Sequence, residues 1–160
     1  MLEFSQADKG TLKEIEDRAI YLLAMREHGS KELASKLNQK FAYLALDNLP
    51  DLVDFVVLKC QKNNLLSDER YIEGFVRSAL VKGQGFYKIK QSLQMKTDEE
   101  ELIVAYLDIG EEEWTELARE VLAKKYGDDF KSSTTKEQAK KMRFLQSRGF
   151  SQEQIWKAFK

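Results

Sequence analysis

Apolar residues recur along this chain at intervals of three and four rather than two, the period of a helix with one face against a core. Ile15, Ala19, Leu22, Leu23 and Met25 share such a face and predict a helix from Leu12 to Arg26. Glycine at His28-Gly29 suits a left-handed cap at its end. Ser30 then offers a hydroxyl cap to a second helix carrying Leu33 and Leu37 inward. Pro50 fits the first turn of a third, from Leu52 to Lys62, which is apolar on several sides and therefore expected to be well buried. Asn63-Asn64 closes it.

Ser67 opens a fourth helix with Asp68 and Glu69 at its positive end and Tyr71, Ile72, Phe75, Val76, Ala79 and Leu80 facing inward. After Gly83-Gln84-Gly85 comes a fifth, marked by Ile89 and Leu93. Thr97 caps an acidic-headed sixth, with Leu102, Ile103, Tyr106 and Leu107 on its core side. Trp114, Leu117, Ala118, Val121 and Leu122 mark the seventh, which stops near Tyr126-Gly127. Residues 127–135 read as a loop, and two last helices follow, over 136–147 and 151–159. The expected class is all-α.

Nine segments group into three triplets, with expected bounds of 12–64, 65–110 and 111–160. Aligned on Gly29, Gly85 and Gly149, each copy shows a helix ending at glycine with two apolar residues five and four positions earlier. A unit this small cannot bury its apolar face alone, so stacking is the physical reason to repeat it.

Composition removes several classes of function. One proline and eight glycines in 160 residues leave little punctuation for a many-stranded sheet. The lone Cys60 sits in the apolar run 52–60, which predicts a buried thiol rather than a nucleophile or a disulfide. The amino terminus lacks the basic start and apolar stretch of a signal peptide, and no apolar run reaches bilayer length. A cytoplasmic location is expected. His28, the one histidine, lies at a helix end where the dipole accounts for it. There is no HExxH, CxxC, GxGxxG or phosphate-loop spacing, so neither catalysis nor a cofactor or metal is expected.

The net charge of −1 hides strong segregation. Residues 82–96 carry four bases and no acid, residues 97–120 carry ten acids against Arg119, and residues 121–160 carry ten bases against four acids. Lys82, Tyr87, Lys88 and Lys90 form a basic, aromatic-bearing stretch beside the second glycine turn, with Lys96 beyond it. Lys136, Lys140, Lys141, Arg143 and Arg148 do the same before the third. Such clusters suit phosphates or an acidic protein surface, or are simply solvated helix faces.

The segment NNLLSDERYIEGFVRSALVKGQGFYKIKQSLQM at 63–95 resembles the RecX family of recombinase regulators. LAMREHGSKELASKL at 23–37 is similar to that family's first repeat, and 114–127 with 140–159 to its third. The resemblance spans about residues 12–159 and implies three three-helix repeats in an elongated, curved molecule. It also implies binding in the groove of the RecA–DNA filament, with inhibition of recombinase, ATPase and co-protease activity and so tuning of DNA repair and the SOS response. DNA contact without the filament would be weak, and no cofactor or catalytic residue would be needed. Within the matched motif, Arg77, Lys82, Tyr87, Lys88 and Lys90 are the first choice for the contact, and the 136–148 cluster is the second. A monomer is expected. The competing reading is a helix-turn-helix-like module acting on duplex DNA directly, around Gly85 or Gly149.

Overall fold

In the computed structural model, which describes residues 4–160, the expected periodicity becomes nine α-helices and one short 3₁₀ turn, with no strand among the described residues. The helices are α1 (Gln6–Met25), α2 (Ser30–Lys40), α3 (Leu49–Lys62), α4 (Asp68–Val81), α5 (Phe86–Gln94), α6 (Glu100–Tyr106), α7 (Glu111–Tyr126), α8 (Thr135–Ser147) and α9 (Gln152–Ala158). None of them is long and apolar enough to cross a membrane. The chain forms two compact units: residues up to Tyr71 together with Met95–Glu99, and Ile72–Gln94 together with Glu100–Lys160.

In the first unit α3 packs on α1 and α2. Ile15 and Ala19, Leu33 and Leu37, and Leu52, Val53, Val56 and Cys60 are all but fully buried there. Burial pushes the Cys60 thiol up, so it is a core residue and not a nucleophile. Asn64 takes a left-handed conformation (φ 60°) and ends α3 where the sequence places the stop.

A polar latch fixes the start of α2, and two expectations about this start are corrected. Gly29 is extended (φ −76°) and is itself the N-cap, so it forms no left-handed cap of α1. It stands there because a Cβ would run into the carbonyl of Lys96. Ser30 is inside the helix, and its backbone N–H and hydroxyl donate to the Asp68 carboxylate at 2.7 and 2.8 Å. That carboxylate, 38 residues away, satisfies the helix end that a local cap normally serves. Glu32, 5% exposed, accepts two hydrogen bonds from the Arg26 guanidinium (2.7 and 3.1 Å), and Lys96 lies 3.5 Å away. Burial alone would raise the Glu32 carboxyl; the hydrogen bonds and charge of Arg26, with His28 and Lys96 behind them, hold it at about 2.

His28 is 1% exposed in this latch, so a charged ring at a helix end is not its role. Its Nδ1 is 3.1 Å from the Arg26 carbonyl, which can only accept, so Nδ1 carries the proton and Nε2 accepts from Lys36 Nζ at 3.0 Å. Burial, with the nearby Arg26 and Lys36 charges, pushes the imidazole below its ordinary 6.5. Unfolded chains therefore take up the proton first, and this contribution to stability fades as pH falls below about 6.5. In an NMR titration the single histidine resonance is expected to show a midpoint below 6.5; a midpoint above it would contradict the neutral, buried ring.

The second unit is built on α7, which packs against α9 and α8, and on the α5–α6 pair. Ile72, Ile89, Leu93, Ile103, Leu107, Trp114, Ala118, Leu122, Leu145 and Ile155 are among its buried residues. Phe130, 6% exposed, anchors the loop between α7 and α8. Gly149, expected to match Gly29 and Gly85, does not. It lies between α8 and α9, the second and third helices of its triplet, whereas the other two precede α2 and α5. What Gly29 and Gly85 share is the kind of neighbour they meet, a backbone carbonyl from a distant turn. The start of α2 receives the Lys96 carbonyl on the Glu32 N–H (3.1 Å), and the start of α5 receives the Gly149 carbonyl on the Tyr87 N–H (2.9 Å).

Candidate functional site

The cations singled out in the sequence lie in the second unit, but they do not share one surface. On α8, Lys136, Lys140 and Arg143 are exposed at spacings of four and three, which puts them on one solvent-facing stripe. Lys141 is turned the other way. It is 9% exposed, its Nζ donates to the Phe130 carbonyl at 2.9 Å, and it lies 5.3 Å from the centre of the Tyr126 ring. It holds the 127–134 loop and is not available to a partner, which corrects its place among the contact residues.

Beside that stripe the end of α4, the last turns of α7 and the end of α8 enclose a groove of about 500 Å³. Leu80, Val81, Leu117, Val121 and Phe144 supply apolar surface; Lys82, Lys124, Lys125 and Arg148 supply charge, with Glu120 as the acid. Arg148 Nη1 donates to the Lys82 carbonyl at 3.2 Å, and its guanidinium lies 5.2 Å from the Phe144 ring centre. Lys125 Nζ lies 4.0 Å from the same centre. These cation–π contacts hold the charges at the groove edge rather than letting them trail in solvent. Lys82 and Arg148, one from each cluster read in the sequence, therefore meet here. Arg77 lies about one turn before Leu80 and Val81 on α4, outside the groove lining, and pairs with Glu73 at 3.1 Å. That pair is exposed on both sides and opposes little to a competing anion.

Lys124 and Lys125 are the residues that sequence reasoning missed. Their signal was present: Lys124 stands seven residues after Leu117, and Lys125 four after Val121, so each continues an apolar row of α7.

The remaining members of the first cluster diverge. Lys88 is exposed on α5, while Lys90 is half-buried with its Nζ 5.6 Å from the Phe86 ring centre. Tyr87, 58% exposed, opens onto a different hollow of about 580 Å³ whose charged residues are Asp108 and Glu111. Tyr87 lines that hollow and not the basic groove, so it does not join Lys82 and Arg148 as a contact. Among the described residues no three His, Cys, Asp or Glu side chains gather as a metal site would require. The chemistry on display is electrostatic and apolar: cations around an apolar floor open to solvent, and a separate exposed cationic stripe.

Comparison with known proteins gives a consistent picture. A family model described as the third three-helix domain of RecX matches residues 111–159. The regulatory protein RecX of Vibrio vulnificus is 37% identical over 139 residues, spanning 87% of this chain and 86% of the relative. The regulatory protein RecX of Salmonella typhimurium is 34% identical over 150 residues, spanning 89% and 90%. Among solved structures, RecX from Lactobacillus salivarius superposes with a TM-score of 0.70 at 23% identity, covering 92% of this chain and 93% of that one. A second structure of regulatory protein RecX gives 0.74 at 19% identity, covering 99% and 78%.

Proposed function

The chain belongs to the RecX family of regulatory proteins, and on that premise we propose that it restrains the RecA recombinase by binding the RecA–DNA filament. The observation that carries the reading is the cationic equipment of the second unit: the Lys136, Lys140 and Arg143 stripe beside the Lys82, Lys124, Lys125 and Arg148 groove. A filament offers both phosphates and protein surface, and the stripe suits the first of these, since only the small Ala139 interrupts its cations. Binding there lowers the recombinase, ATPase and co-protease activities and so tunes repair and the SOS response. In this reading the three triplets of helices, 12–64, 65–110 and 111–160, are repeats, and the contact falls on the second and third of them.

The alternative, a helix-turn-helix module reading duplex DNA, needs a cationic helix to enter the major groove. α9 has seven residues, and Lys157 is paired with Glu153 at 2.9 Å. On α5 Lys90 is drawn over Phe86 instead of outward. Both facts favour the filament.

Fluorescence anisotropy with RecA assembled on labelled single-stranded DNA, set beside bare duplex, tests the reading. The chain is expected to bind filaments at least about tenfold more tightly than duplex at the same salt. Combined Lys136→Glu, Lys140→Glu and Arg143→Glu substitutions are expected to weaken filament binding by about tenfold or more. All three side chains are exposed, so the melting temperature should barely move. Unchanged filament binding by this triple variant would remove the contact from α8.

A further inference from the structure

The groove and the stripe offer different chemistry, and the difference assigns them to different parts of the partner. A phosphodiester backbone is met by solvated cations and has nothing to bury in an apolar floor. The stripe fits that description. The groove does not: Leu80, Val81, Leu117, Val121 and Phe144 line it, and Val81 is 80% exposed, a large apolar side chain left in water. Its cations are arranged around that floor, two of them resting on the Phe144 ring. Four bases against Glu120 set the sign of the charge it accepts. An occupant that satisfies both features has apolar side chains flanked by carboxylates.

We propose that the groove formed by α4, α7 and α8 docks an acidic, amphipathic segment of the recombinase protein, while the α8 stripe meets the DNA. The proposal rests on the filament reading above and divides that interface in two. About 500 Å³ accommodates a few side chains, the scale of one anchoring turn of a peptide, with carboxylates on either side within reach of Lys82, Lys124 and Arg148. The carboxylates supply orientation and on-rate, and the apolar anchor supplies residence time.

Site-directed photocrosslinking separates the two surfaces. Val81→p-benzoylphenylalanine places the probe in the groove, and Lys140→p-benzoylphenylalanine places it on the stripe; both positions are exposed, so the fold tolerates them. Each variant is irradiated with RecA assembled on fluorescently labelled single-stranded DNA. The groove probe is expected to attach to the protein, within a segment rich in Asp and Glu, and the stripe probe to the DNA. A groove probe that labels DNA, labels a protein segment without acids, or labels nothing while filament binding persists overturns the proposal.

A second measurement uses Val81→Asp with Lys124→Glu. Filament affinity is expected to fall about tenfold, and affinity for bare single-stranded DNA to stay within about twofold. Equal losses on both, or no loss on either, also overturn it. Should the unmodified chain not bind filaments at all, the recombinase reading fails first and takes this assignment with it, an outcome distinct from each of the others.

Discussion

Gly85→Ala is expected to destabilise the second unit by about 3 kcal/mol, measured by urea unfolding followed through tryptophan fluorescence. Both tryptophans, Trp114 and Trp156, lie in that unit, so the signal reports it directly. The Gly85 N–H donates to the Arg148 carbonyl at 2.6 Å, and a Cβ at Gly85 would stand 2.6 Å from both the Gly149 carbonyl carbon and the Phe150 nitrogen. These are backbone atoms and cannot swing aside as a side chain would. The Gly149 turn is itself packed on the start of α5, where a Cβ would stand 2.5 Å from the Lys88 nitrogen, so it has little room to shift around the intruder. The helix start must therefore lift away from the α8–α9 turn, with loss of the Gly85–Arg148 and Tyr87–Gly149 hydrogen bonds. Gly74→Ala is the control. It lies inside α4 with open space where the Cβ would go, and is expected to stabilise by about 0.5–1 kcal/mol. A Gly85→Ala protein as stable as the parent would mean that the two turns do not bear on one another.

Glu32→Gln should cost the first unit about 2–3 kcal/mol at neutral pH. The carboxylate is nearly buried, and its amide replacement leaves the Arg26 guanidinium without a charged partner and Lys96 facing a neutral group. The figure stays below the full value for a buried pair because Arg26 is half exposed and partly screened by water. The pH dependence follows from the same contacts. Glu32 is held at about 2 against an ordinary 4.5, so its contribution is complete above about 4.5, where both folded and unfolded chains carry the charge. As pH falls from there toward 2 the unfolded chain is protonated first, and the contribution is lost. Urea midpoints at pH 7, 4 and 2.5 should fall more steeply for the parent than for Glu32→Gln. Parallel curves would show that the latch contributes nothing.

Much of the fold was legible because it is governed by local rules. The 3.6-residue period placed every helix, and Asn63-Asn64 and Tyr126-Gly127 ended α3 and α7 because few residues other than Asn and Gly adopt left-handed backbone at small cost. The failures have a common cause in contacts between residues distant in sequence. Ser30 is the kind of residue that caps a helix, yet Asp68 captures its N–H and hydroxyl from 38 positions away, leaving Gly29 as the cap. Gly29, Gly85 and Gly149 look alike as letters, but two of them are excluded volume for a neighbouring carbonyl and the third supplies one.

The candidate site was half legible for the same reason. A basic run shows which residues carry charge and says little about direction. Lys141 turns inward to a carbonyl, and Tyr87 lines a hollow whose charged residues are acids, although both stand next to lysines in the sequence. Lys82 and Arg148, 66 residues apart, meet only once α4 and α8 have packed. Lys124 and Lys125 gain meaning only from the apolar floor beside them.

Restraint of the recombinase reads out in the ATPase of RecA on single-stranded DNA. Titrating this chain into preassembled filaments is expected to lower the rate of ATP hydrolysis in a dose-dependent way. A rate unchanged at several-fold molar excess over the filament's binding sites would contradict it.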